Sequence, residues 1–235
     1  MDSIDKKYVP EIITKLKADF IQAPNVISKC SGIRLYGRRI KSIIFTTDIA
    51  IIANTNADAI LAVFPFTPQP SIFESIANVA ASPFFAGVGG GTTRGERSAR
   101  MASFAESYGA YGVVLNAPTK KTTVDAVRKS VDCPIISTIV SKNMDVASRL
   151  QAGVNIINVS GGEHTPEIVS HFRKQFPSLP IIATGGPTEE TILSAIEAGA
   201  NAITFTPPAN GEIFRDKMEK YRQTNRDTFF DDEEE

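Results

Sequence analysis

The sequence predicts an α/β fold, a closed TIM (β/α)8 barrel with an extra N-terminal helix, and three observations carry the prediction. The first is a repeat of two alternating phrases. A proline followed by a short apolar run recurs in SPFFAGVGG, CPIISTIVS and LPIIATGG; a glycine-ended helix followed by an apolar run recurs in YGAYGVVLNAP, AGVNIINVSGG and AGANAITFTPP. Gly109, Gly153 and Gly199 lie 44 and 46 residues apart and Pro83, Pro134 and Pro180 lie 51 and 46 apart, so each period holds two strands and two helices. The second observation is that these runs lack the polar alternation of half-exposed strands, as strands covered on both faces do. The third is length, since 235 residues suit one closed barrel.

Taken in order, residues 1–38 stand outside the eightfold count and are predicted as an N-terminal helical extension packing on the bottom of the barrel. The barrel itself is expected over 39–226, with KSIIFTTDIA and ADAILAVFPFT as its first two strands. Strands are expected at 42–48, 59–66, 83–89, 111–116, 134–140, 154–160, 180–185 and 201–206. The connection IIANTNAD leaves room for a single helical turn, and longer helices are read in RGERSARMASFAESYG, TVDAVRKSVD, NMDVASRLQAG, TPEIVSHFRKQF, PTEETILSAIEAG and GEIFRDKMEKYRQ. In PTEETILSAIEAG, Thr188 caps, Glu189 and Glu190 favour the positive helix start and Gly199 stops the helix. Residues 227–235 form an acidic tail expected to be solvated and frayed.

Lys plus Arg number 25 against 26 Asp plus Glu, which leaves no global field to recruit nucleic acid or an anionic membrane. Cys30 and Cys133 are too far apart in sequence for a disulfide framework or a metal-ligand spacing, and read as buried thiols in a reducing cytoplasm. The start MDSIDKKYVPEIITKL is charged, and no apolar run approaches the roughly 18 residues of a membrane span, so a cytoplasmic location is expected. There is no H-E-x-x-H, cysteine cluster or G-x-S-x-G elbow, so no metal, cofactor or serine nucleophile is predicted.

In such barrels the site is built at the carboxyl ends of the strands. The run AGVGGGTTRG only approximates a dinucleotide fingerprint, and the next strand ends in Asn116-Ala117-Pro118 where an acid would hold the ribose. Gly89, Gly90, Gly91, Thr92 and Arg94 are therefore read as one wall of a substrate pocket, with Thr184 and Thr206 across it. Backbone N–H groups at Gly185, Gly186, Asn210 and Gly211, with Gly161 and Gly162, are expected to hold a phosphate. Asp48, Glu163 and His164 are the acid–base candidates, and Asn116 and Lys142 are candidates to orient the substrate. Helix capping is the alternative for Asp48 and His164, and a solvated loop position is the alternative for Lys142. Arg94 and Arg97 either meet a second anionic group or are exposed members of a helix start. Asn158-Val159-Ser160 matches a glycosylation sequon by chance, inside a core strand.

Through VGGGT on strand three, IIATGG on strand seven and AGANAITFTPPANGEIF on strand eight, residues 83–214 resemble the phosphate-binding barrel superfamily. That superfamily includes thiamine-phosphate synthase, N-acetylmannosamine-6-phosphate epimerase, ribulose-phosphate epimerase and the 2-keto-3-deoxy-6-phosphogluconate aldolases, and the motifs look nearest to the last group. The aldolases need a strand-six lysine for a Schiff base, and NIINVSGG has none. The expectation is an enzyme acting on a small phosphorylated metabolite, a sugar phosphate or keto-acid phosphate, by isomerase, epimerase or lyase chemistry. A barrel that binds such a metabolite without catalysis is the alternative, and a phosphate-ester hydrolase a third. The small metabolite is the expected partner, together with a second copy of the chain.

Overall fold

The computed structural model describes residues 10–15 and 19–231, of which residues 225–231 are described by their backbone alone. Eight parallel strands close into one barrel: β3 (Ser42–Phe45), β4 (Ala59–Ala62), β5 (Phe84–Gly89), β6 (Gly112–Leu115), β7 (Ile135–Ile139), β8 (Ile156–Val159), β9 (Ile181–Thr184) and β10 (Ala202–Phe205). β10 pairs with both β9 and β3, which closes the ring. All eight lie within the expected spans. Around them run α1 (Ile49–Ala53), α2 (Pro70–Val79), α3 (Glu96–Ser107), α4 (Lys121–Arg128), α5 (Val146–Gln151), α6 (Thr165–Gln175), α7 (Glu189–Glu197) and α8 (Asn210–Asp231).

Two boundaries differ from the expectation. Where a helix was predicted before the barrel, the described residues hold a 3-10 turn, Asn25–Lys29, and an antiparallel hairpin of β1 (Ile33–Leu35) and β2 (Arg38–Ile40). Tyr36 and Gly37 take positive φ of 46° and 82°, the geometry of a type I′ turn, which matches the twist of the flanking strands. Ile33 and Ile40 face each other across the hairpin and pack on Ile43, Ala59, Phe85, Ile156 and Ala202, so the hairpin plugs the bottom of the barrel. Residues 1–9 and 16–18 of the predicted extension lie outside the described residues. At the other end α8 continues to Asp231, past the expected boundary at 226, and 232–235 lie outside the described residues.

Successive strand residues face opposite sides. One parity of the eight strands, including Ile44, Ile60, Ala86, Val113, Ile135, Ile157, Ile181 and Ile203, packs under the helices; the other fills the barrel. The pairings and the alternate-strand layering of such barrels set Ile43, Phe85, Ile136 and Ile182 at one height. Leu61, Val114, Asn158 and Thr204 follow above them, then Phe45, Gly87, Thr138 and Thr184.

The repeated glycine-led phrase has a structural reason. Asn155 and Asn201 stand immediately before β8 and β10, and their Oδ1 atoms accept from Ile135 N and Ile181 N on the preceding strands at 3.0 and 2.9 Å. Asp58 does the same for Ser42 N at the start of β4, at 2.9 Å. These side chains replace backbone acceptors that the staggered strand ends lack.

Candidate functional site at the mouth of the barrel

Upward from the bottom, the barrel interior changes from aliphatic to neutral polar. Asn158 is 5% exposed, Thr204 2% and Thr138 9%, and Asn158 Oδ1 and Thr204 Oγ1 have no hydrogen-bond partner among the described residues. A buried polar atom left unpaired costs about 1–3 kcal/mol. This layer therefore suits an occupant that donates to Asn158 Oδ1 and pairs with the Thr204 hydroxyl. None of the eight residues in the two upper layers carries a charge.

The β5 side of the mouth is shaped by the glycine run. Gly90 has φ 112°, and a Cβ there would come within 2.6 Å of Asn116 N and 2.7 Å of Asn116 O, so only glycine fits. Asn116 N donates to Gly89 O at 2.9 Å, and a cavity of about 50 Å³ remains between Val63, Phe66, Gly87, Gly91, Thr92 and Asn116. The next loop is fixed by Arg149, which donates to Ala117 O at 3.2 Å, Thr119 O at 2.9 Å and Ser137 Oγ at 2.8 Å. Burial lowers the pKa of this guanidinium, and the Asp145 carboxylate opposes that shift.

The acid–base candidates are not brought together. Asp48 Oδ1 accepts from Ala50 N at 2.8 Å and Ile51 N at 3.1 Å, so this carboxylate caps α1. Glu163 and His164 lie in the 3-10 turn Gly162–His164 after β8, with side chains 89% and 69% exposed and 3.7 Å between His164 Nε2 and Glu163 Oε1. Lys142 Nζ bonds Glu167 Oε1 at 2.5 Å, and this contact holds the Glu167 carboxyl below the usual carboxylate range. His164 Nδ1 is 4.0 Å from Glu167 Oε2. Lys142, Glu163, His164 and Glu167 thus form one solvated group, and β9 and β10 stand between β8 and the strand that leads to Asp48.

The predicted phosphate cradle is largely committed elsewhere. Gly185 N donates to Thr204 O at 2.8 Å and Gly161 N to Thr165 Oγ1 at 3.0 Å. At the start of α7, the Glu190 carboxyl is held below its ordinary range by its own backbone N–H and by the Thr188 hydroxyl. At the start of α8, Ala209 N donates to Glu212 Oε2 at 2.8 Å. Carboxylates therefore occupy both helix N-termini where a phosphate was expected. Gly186 lies against Thr191, Gly211 has open space around it, and Gly162 has φ 61° and is exposed. Asn210 instead lines a cavity of about 480 Å³ outside the barrel, with Phe20, Ile21, Ile51, Ile213 and Lys217. Thr184 and Thr206 stand at the mouth, the first half-buried and the second exposed.

Sequence reasoning missed Asn158 and Thr204. Their signal is a lone polar residue two positions past Ile156 and Ala202, at inward parity in an otherwise buried run. Among the described residues no group of three or more His, Cys, Asp or Glu side chains is placed to hold a metal ion, and no helix is long and apolar enough to cross a membrane.

No family model and no curated protein matches the chain. Solved structures do. Phosphonopyruvate hydrolase in complex with oxalate and Mg++ superposes with a TM-score of 0.60 at 14% identity, covering 81% of this chain and 83% of that one. A 2,3-dimethylmalate lyase, described as a PEP mutase/isocitrate lyase superfamily member, gives 0.59 at 15% identity over 86% and 83%. Phosphoenolpyruvate phosphomutase from Streptomyces platensis subsp. rosaceus gives 0.57 at 13% over 83% and 84%. These are barrels of other groups than the ribulose-phosphate-binding ones that the sequence motifs resemble. At such identities the likeness establishes the architecture alone: the chain is a closed α/β barrel of the TIM type.

Proposed function

We propose that this chain binds a small oxygen-rich acid, a keto acid or a phosphorylated metabolite, in the C-terminal mouth of its barrel, and that it does so without acid–base catalysis at the strand ends. The observation that carries the reading is the pair of unpartnered oxygens, Asn158 Oδ1 and Thr204 Oγ1, buried in a layer without charge. Such a layer recognises a ligand hydroxyl, which donates to Asn158 Oδ1, beside an oxygen that pairs with the Thr204 hydroxyl, and it offers no group that titrates near neutrality. The ligand class is supported by the fold likeness to phosphonopyruvate hydrolase, whose structure holds oxalate, and to a dimethylmalate lyase.

The same likeness supports a second reading, isomerase, epimerase or lyase chemistry with Asp48, Glu163 and His164 as acid–base groups. The placement of those three favours binding. Calorimetric titration of the wild type and of an Asp48→Asn/His164→Asn double variant with a hydroxy acid such as malate, with oxalate and with phosphoenolpyruvate separates the two. The binding reading expects equal affinity in both proteins and no turnover in either. Turnover by the wild type that the double variant loses would establish the catalytic reading instead.

A further inference from the structure

Beside the mouth, on the outer side of the β5–α3 connection, lies a cleft of about 310 Å³ lined by Thr67, Pro68, Thr93, Arg97, Arg100, Met101 and Phe104. Pro68 and Thr93 form its wall toward the mouth, and each also lines the cavity there. The volume is in the range that holds a small organic ligand.

Two arginines without a partner line it together. Arg97 and Arg100 stand one turn apart on α3, and neither guanidinium makes a hydrogen bond or ion pair among the described residues. Like charges at this spacing repel and weaken a helix. Elsewhere the guanidinium groups of Arg128, Arg149 and Arg173 donate to backbone carbonyls, and Arg215 and Arg222 face an acid on their own helix. Arg34 and Arg38 on the hairpin also lack such a partner among the described residues, but only Arg97 and Arg100 line one cavity together. Met101 and Phe104 continue the same helix stripe, one turn from Arg97 and Arg100 respectively, and Phe104 is a large aromatic left 45% exposed. The Thr93 side chain, itself buried, completes the wall.

We infer that this cleft is an anion site for a small molecule that joins a phosphate or carboxylate to an apolar, ring-sized body. The anion lies between Arg97 and Arg100, where it relieves their repulsion and takes two charge-assisted bonds. The body covers Met101, Phe104 and Pro68. The site is separate from the barrel interior and does not depend on Asn158 or Thr204.

The test is calorimetric titration of the full chain at low ionic strength with phenyl phosphate and with inorganic phosphate. Wild type should bind phenyl phosphate saturably at one site, and more tightly than inorganic phosphate. Arg97→Gln/Arg100→Gln should weaken both at least tenfold while the circular dichroism stays unchanged and the thermal midpoint does not fall. Met101→Ala/Phe104→Ala should abolish the preference for the phenyl ester and keep phosphate binding, and Asn158→Leu should change neither. No saturable binding of phenyl phosphate, or affinity unchanged in the double arginine variant, overturns the inference and leaves the mouth reading standing. Loss of binding in Asn158→Leu alone would place the anion in the barrel and overturn the separate site.

Discussion

Asn158 and Thr204 occupy one layer of the barrel interior, on β8 and β10 with β9 between them, and each carries a buried oxygen that no described residue satisfies. A binding site is a good reason for a core to keep such atoms, because the free protein is destabilised by them. Replacing Thr204 by the isosteric Val, or Asn158 by Leu, should raise the stability of the free protein by about 1 kcal/mol each. Urea denaturation measures this as a higher midpoint with an unchanged slope. Lower midpoints in both variants would mean that the oxygens are satisfied inside the fold.

Arg173 fastens the bottom of the β9–β10 unit. It donates to Pro177 O and Leu179 O at 2.8 Å each, to Gly199 O from two nitrogens at 3.1 and 2.8 Å, and to Asn201 Oδ1 at 2.7 Å. Arg128 makes the corresponding contacts with Cys133 O and Asn155 Oδ1 one repeat earlier. Arg173→Ala leaves several acceptors unpaired and should cost about 3 kcal/mol or more. Arg173→Lys should recover little of it, because an ammonium lacks the planar fork. Ligand binding at the opposite end of the barrel should persist wherever the variant is folded.

Asp48 is a helix cap by geometry. Asp48→Ala should therefore lower stability by about 1 kcal/mol, and Asp48→Ser should restore most of it. Neither should change ligand affinity. A large loss of affinity in Asp48→Ser would return this carboxylate to the site.

The two thiols give a pH prediction. Burial pushes Cys30 up to about 11, and burial together with the Glu106 carboxylate pushes Cys133 up to about 12. In the unfolded chain a thiol ionises near 8.5, so above that pH the unfolded state releases protons that the folded state keeps. The stabilising contribution is whole below about pH 8.5 and is lost as pH rises toward the folded values. Native protein at pH 8 should resist an aromatic disulfide reagent, and both thiols should react once it is unfolded. Rapid labelling of the native protein would contradict the burial of these residues.

The strands were legible because NIINVSGG and its counterparts are buried on both faces, which suppresses alternation and leaves compact apolar runs between helix signals. The hairpin was not, since β1 and β2 are three residues each and a lone Tyr-Gly pair is their only turn signal. Topology named the mouth of the barrel for the site, and the glycines there were read as a phosphate cradle. Glycine patterns report room for backbone and do not say whether an N–H is already taken. Gly185 N is bound to Thr204 O, and Glu212 folds back on Ala209 N. Inward parity, which singles out Asn158 from its sequon context, follows from strand register, and register is a long-range property.

The central claim is that the mouth of the barrel holds an oxygen-rich acid on Asn158 and Thr204. Its most direct measurement is a thermal-shift screen of keto acids, dicarboxylic acids and phosphorylated metabolites, run in parallel on the wild type and on Asn158→Leu/Thr204→Val. At least one compound should raise the melting temperature of the wild type in a concentration-dependent manner and leave that of the double variant unmoved. A screen in which no compound stabilises the wild type more than the double variant would contradict the account.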